Sequence, residues 1–124
     1  MRIVLQRVKK ANVSIDNHLY SYIGNGYMIL VGIENDDTME GVEWLASKIC
    51  SMRIFADDEG KMNLDIKQVN GDILIVSQFT LHASTKKGNR PSFIKAARPE
   101  VAIPLYEKFI AEIEKLLEKP CKTG

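Results

Sequence analysis

The run Asp72-Ile73-Leu74-Ile75-Val76 limits what this chain can become more than any other stretch of it. Its aliphatic residues follow one another without polar alternation, a pattern suited to a strand buried within the protein. It stops abruptly at Ser77-Gln78-Phe79-Thr80-Leu81, where hydroxyl, amide and aromatic groups replace the aliphatic ones. A buried strand fixes its backbone rigidly, so N–H groups and hydroxyls at its end can be held to a geometry that a mobile loop could not keep. That arrangement can grip a carbonyl. Two further polar motifs flank it, Glu59-Gly60-Lys61-Met62-Asn63 upstream and Asn89-Arg90-Pro91-Ser92-Phe93 downstream.

The rest of the chain supplies the frame for this strand. Alternation over Arg2 to Val8 suits a strand, and Val13 to Asp16, Leu19 to Ile23 and Tyr27 to Ile33 continue as strands punctuated by Asp-Asn and Gly-Asn-Gly, an antiparallel opening. Asp37 with Glu40 reads as a capping box, after which Val42, Leu45, Ala46 and Ile49 recur at helical spacing to about Met52. Arg53 to Ala56 returns to strand character, and Asp57-Asp58-Glu59-Gly60 is a turn. Leu64 to Val69 and Ile73 to Val76 are expected to pair as a hairpin across Asn70-Gly71. After a polar segment from His82 to Pro99, the residues Leu105, Phe109, Ile113 and Leu116 mark one face of a second helix, whose first turn Pro104 leaves open. The expected class is α+β: antiparallel sheets partly closed as a barrel, with two helices packed on them.

With 124 residues and 45% apolar content, the chain suits one domain, residues 1–124, with its own core. A net charge of +1 gives no global attraction to nucleic acid, so any such contact must rest on a local patch. No stretch is long enough to cross a bilayer and no apolar leader follows a basic start, so the reading is cytoplasmic with no membrane partner. Cys50 and Cys121 lack the C-x-x-C spacing of redox or metal sites, and a disulfide is not expected.

His18, His82, Asp57, Asp58 and Glu59 fit no metal-binding pattern, and the acidic trio lacks the distal glutamate of a calcium loop; a solvated turn is the simpler reading. No metal or cofactor is expected. Ser77 or Thr80 could act as a nucleophile with His82 as its base, but no third group to orient the imidazole is identifiable, and both hydroxyls could merely satisfy backbone groups at a strand end. Ser84 to Arg98 carries Lys86, Lys87, Arg90, Lys95 and Arg98 with no acidic residue. Such a run suits phosphates or a solvated loop. Phe93 within it could stack on a base or anchor the loop.

Taken together, the Ile3-Val4-Leu5-Gln6-Arg7-Val8 start, the Ser-Gln-Phe-Thr-Leu motif and the Asn-Arg-Pro-Ser-Phe motif resemble the D-aminoacyl-tRNA deacylases, over essentially the whole chain. The resemblance implies hydrolysis of the ester joining D-amino acids, and glycine, to tRNA, as proofreading in translation. It implies that no side chain is the nucleophile: backbone N–H groups of Phe79 and Thr80 hold the ligand while a tRNA 2′-hydroxyl assists water. Ser77, Gln78, Phe79 and Thr80 then form the catalytic pocket, with Thr80 positioning, and Arg7 joins Phe79 on the substrate side by bracing a chiral gate. Lys86, Lys87 and Arg90 are left for tRNA. The gate implied by the family is an Asn-x-Gly-Pro-x-Thr strand that enters a partner subunit's pocket in a homodimer; no such motif occurs here, and the chain reads as stopping at the turn before it. A non-catalytic nucleic-acid-binding module and an esterase using Thr80 stand as alternatives.

Overall fold

The computed structural model describes residues 1–124. Its central layer is a four-stranded sheet in the order β1-β4-β7-β8, built from β1 (Arg2–Val8), β4 (Gly26–Gly32), β7 (Asp72–Ser77) and β8 (Lys122–Thr123). β2 (Ala11–Ile15) and β3 (His18–Ile23) form a separate hairpin, and β5 (Phe55–Ala56) and β6 (Met62–Leu64) another short pair. The β2–β3 turn places both Asp16 and Asn17 at positive φ, 51° and 65°, the backbone form that matches strand twist in a two-residue hairpin. No sheet closes on itself, so the expected barrel is not formed; the α+β class and the two helices stand.

β4 and β7 form the middle of the sheet. Tyr27, Ile29 and Val31 of β4 and Ile73 and Ile75 of β7 are buried in one core with Val42, Ala46 and Ile49 of α1 (Met39–Ser51) and Leu105, Phe109, Ile113 and Leu117 of α2 (Pro99–Leu117). The α2 seam ends on Leu117; Leu116 packs at its margin. Pro99 opens α2 at its first position, where a missing N–H costs nothing, so Pro104 lies inside the helix and not in its first turn.

Leu64 to Val69 is not a strand: β6 stops at Leu64, and Asp65 and Gln68 exchange side-chain to backbone hydrogen bonds of 2.8 and 2.9 Å that wind the chain into a helical turn. Asn70, at φ 50°, and Gly71 end that turn, with Gly71 N–H donating to the Ile66 carbonyl (2.9 Å) and Asn70 N–H to that of Lys67 (3.0 Å). This is the left-handed stop of a helix. β7 is consequently no hairpin partner of its predecessor; it enters the sheet parallel to β4 after a long crossover, and β8 is parallel to β7. The expected Asp37–Glu40 capping box is not formed, since Gly41 occupies the third helical position and has no side chain to return to the cap. Thr38 caps α1 by accepting from Gly41 N–H, while Asp37 accepts from Glu34 N–H and contacts the Met1 ammonium.

Burial, then nearby Asp65, pushes the Cys50 thiol up to about 11; burial, then Glu114, pushes the Cys121 thiol up to about 12. Both are free thiols. Alkylation of the folded protein at mildly alkaline pH is expected to run at least roughly a hundredfold slower than for an ordinary cysteine, checked by mass spectrometry after timed iodoacetamide exposure. The unfolded chain ionises first as pH rises. The stability these thiols contribute is therefore complete below the ordinary thiol range and is lost as pH climbs toward their raised values, which urea midpoints at neutral and alkaline pH would show.

Candidate active site

The site is built where β7 leaves the sheet. Ser77 pairs with Val31, and the next N–H, that of Gln78, donates to the Val31 carbonyl at 2.7 Å, the last bond of this ladder. The chain then winds into a 3₁₀ turn, Phe79–His82. The first residues of such a turn have no carbonyl behind them to bond. Accordingly, neither the Phe79 nor the Thr80 N–H donates to any acceptor in the protein, while Leu81 N–H returns to the Gln78 carbonyl (3.3 Å) and Ala83 N–H to that of Thr80 (3.1 Å). The turn is clamped from outside by Arg2 of β1, whose guanidinium donates to the Leu81 carbonyl at 2.6 Å. It also lies hard against Gly32. A Cβ there would come 2.9 Å from Leu81 Cβ and 3.1 Å from the Gln78 carbonyl oxygen. Two free donors on a clamped turn can stabilise charge developing on a carbonyl oxygen, worth about 3 to 4 kcal/mol for each well-aimed donor.

The side chains do not form a nucleophilic triad. Thr80 Oγ1 accepts from Gln78 Nε2, so the hydroxyl is tied to its neighbour. His82 is buried; its Nδ1 lies 3.7 Å from Glu34 Oε2, and its Nε2 has no hydrogen-bond partner. Ser77 and Phe79 are exposed, Gln78 and Thr80 half-buried. The strand end is an open surface in the single chain; the cavities lie beside it, not over it.

Arg7 does not join this cluster. It pairs with Tyr27, whereas Ser77 pairs with Val31 four residues along β4, about 13 Å away along the strand. There Arg7 donates to the Ile54 carbonyl and lines a cavity of about 440 Å³ with Lys9, Asn25 and Phe55. The acidic turn is likewise accounted for locally: Asp57 accepts from the N–H groups of Glu59 and Lys61 and from Asn63 Nδ2, and the backbone bond from Lys61, foremost, holds its carboxyl below the usual range.

The basic loop comes closer. Phe79 and Phe93 meet edge to face with centroids 5.4 Å apart. Lys86, Lys87 and Arg90 line a cavity of about 420 Å³ beyond Phe93, and none of them forms an ion pair. Arg2 and Gly32 were missed by local sequence reading, since their contacts span 79 and about 49 positions along the chain.

An α+β domain that ends a buried parallel strand in two free N–H donors, beside unpaired cations, offers donors to a carbonyl oxygen and positive charge to phosphates. The family model described as D-Tyr-tRNA(Tyr) deacylase matches residues 4–124, and the chain belongs to that family. It is 59% identical to the D-aminoacyl-tRNA deacylase of Akkermansia muciniphila and 56% identical to that of Parabacteroides distasonis, in each case over the whole of this chain and 83% of the relative. Among solved structures it superposes on the c-Myc DNA Unwinding Element Binding Protein with a TM-score of 0.91 at 35% identity, covering all of this chain and 85% of that one. A probable eukaryotic D-amino acid tRNA deacylase shares the fold, with a TM-score of 0.79 at 22% identity over 94% of this chain and 68% of that one.

Proposed function

We propose that this protein hydrolyses the ester between a D-amino acid, or glycine, and tRNA, releasing both and so removing mischarged tRNA before it is used in translation. The observation that carries the reading is the pair of uncommitted N–H groups at Phe79 and Thr80, held on a turn clamped by Arg2 and Gly32, in a chain of this family. The donors receive the ester carbonyl, Ser77 and Gln78 border the adenosine, and Thr80 positions. The tRNA 2′-hydroxyl assists the attacking water, since the protein offers no paired nucleophile and base. Lys86, Lys87 and Arg90 contact tRNA phosphates.

We also infer a homodimer acting in the cytosol. One chain leaves the strand end open, keeps Arg7 at the other end of the sheet and carries no Asn-x-Gly-Pro-x-Thr gate among these residues, so rejection of L-amino acids calls for a wall that a second copy brings to the strand end, with that copy's Arg7 as its brace. Purified protein is expected to release D-tyrosine from D-tyrosyl-tRNA at least about a hundredfold faster than L-tyrosine from L-tyrosyl-tRNA, the discrimination of roughly 3 kcal/mol that a clash at one substituent can supply. Equal rates would remove the proofreading reading; no release from either would remove the deacylase. The latter result, with DNA retained on the basic loop, would leave a non-catalytic binding module, a role suggested by the name of the 35%-identical structural neighbour.

A further inference from the structure

We propose that the Ser84–Lys95 loop and Arg2 form a two-position phosphate track for the single-stranded 3′ end of tRNA, a proposal that rests on the deacylase reading and extends it to residues outside the strand-end motif. The cavity of about 420 Å³ is bordered by Lys86, Lys87, Arg90 and Lys95 with Ser84 and Ser92, and no carboxylate borders it. A second cavity of about 370 Å³ adjoins it through three residues common to both, Ser84, Lys86 and Lys95, and adds Arg2, His82 and Glu34. Lys86 and Lys95 thus stand between two positions, each with its own further cation: Arg90 with Lys87 on one side, Arg2 on the other. Glu34 is the one carboxylate in the pair of cavities, and it is directed to His82 Nδ1.

Lys61, Lys67, Arg98, Lys108 and Lys119 pair with carboxylates, whereas Arg2, Lys86, Lys87, Arg90 and Lys95 pair with none. Arg7, Lys9, Lys10, Lys48, Arg53, Lys115 and Lys122 are also without a carboxylate partner, so it is the gathering of these five around two adjoining cavities that sets them apart. The loop that carries them is held in shape: Ser84 and Ser92 exchange two backbone hydrogen bonds of 2.8 Å, and Ala97 N–H donates to the Ile33 carbonyl at the end of β4. A clustered, unneutralised set of cations on a fixed loop attracts a polyanion at a defined place. Phe79 and Phe93 join the track to the catalytic turn, with 57% and 37% of their surface exposed. An aromatic platform followed by a cationic groove is the arrangement that binds single strands without reading their sequence, bases on the rings and phosphates in the groove. An ester seated at the Phe79 and Thr80 donors would place its own nucleotide on that platform and the preceding phosphodiesters in the two cavities.

Lys95 is the residue to test, being exposed, unpaired and common to both positions. A fluorescent single-stranded RNA tetranucleotide ending in cytidine-cytidine-adenosine is titrated against the protein at a series of salt concentrations. Lys95→Ala is expected to weaken binding at low salt and to flatten the slope of log affinity against log salt by about 0.7 per lost contact. Lys95→Arg should restore the slope, and Lys61→Ala, on the distant acidic turn, should leave it as in the wild type. Parallel lines for wild type and Lys95→Ala would overturn the track, as would equal flattening in Lys61→Ala. The two readings separate cleanly. Wild-type protein that loses slope on Lys95→Ala yet leaves D-aminoacyl-tRNA intact would support the track and refute the deacylase; protein that hydrolyses D-aminoacyl-tRNA while Lys95→Ala keeps the full slope would overturn the track alone.

Discussion

Gly26→Ala is expected to destabilise the fold more than an added methyl group at any other glycine of this chain. Gly26 opens β4 and faces Asp72, the first residue of β7, across the parallel pairing at the centre of the sheet. A Cβ built there would lie 1.8 Å from the Asp72 carbonyl oxygen and 2.7 Å from both its carbonyl carbon and its nitrogen. All three are backbone atoms of a central strand, so no rotamer change relieves the overlap; β4 and β7 would have to part where Asp72 N–H also donates to the Asn25 carbonyl (2.9 Å). Relief by backbone movement costs at least about 3 kcal/mol. For a domain of this size that lowers the melting temperature by about 10 °C or more, enough to leave much of the protein aggregated on expression. Gly24→Ala is the matched control, two residues away, with no atom within 4 Å of its added Cβ. It should melt within about 2 °C of the wild type. Similar losses from both would show that the β4–β7 approach is looser than described.

The contrast between these glycines marks where local sequence is informative. The Ile73 to Val76 run announces a buried strand because burial on both faces removes polar alternation, and α1 is legible because Val42, Ala46 and Ile49 keep one face. Asn70-Gly71 is ambiguous for a physical reason: a hairpin turn and a helix stop both require the left-handed backbone that Asn and Gly tolerate. The distinguishing signal was the Asp65 and Gln68 pair three residues apart, which favours a helical turn. Sheet closure could not be read at all, since it depends on which edges meet and not on any one strand's pattern. At the site, the strand end and the basic loop were visible because each is contiguous in sequence. Arg2, Gly32 and Glu34 were not, because their roles arise from contacts with Leu81 and His82 across the fold. Arg7 stands the other way: its role came from resemblance alone, and the β1–β4 register sets it at the far end of the sheet.

The largest effect on catalysis is expected from changing the substrate and not the protein. If a tRNA 2′-hydroxyl assists the attacking water, D-aminoacyl-tRNA ending in 2′-deoxyadenosine should be hydrolysed roughly 10²- to 10⁴-fold more slowly than the ribose form, the range that a positioned proton-transfer group contributes. Thr80→Ala should cost far less, within about tenfold, the worth of one ordinary hydrogen bond. The structure motivates this asymmetry. Thr80 Oγ1 is bound to Gln78 Nε2 and has no histidine base, since His82 faces Glu34 through Nδ1 and its Nε2 is buried without a partner. The groups that remain to act on the carbonyl are the Phe79 and Thr80 N–H donors, which an alanine at position 80 preserves. Single-turnover deacylation separates the cases, because it reports the chemical step without product release. A hydroxyl nucleophile would reverse the pattern, leaving the deoxy substrate near normal and Thr80→Ala almost inactive; that reversal would assign the reaction to an esterase using Thr80 and end the RNA-assisted mechanism for this protein.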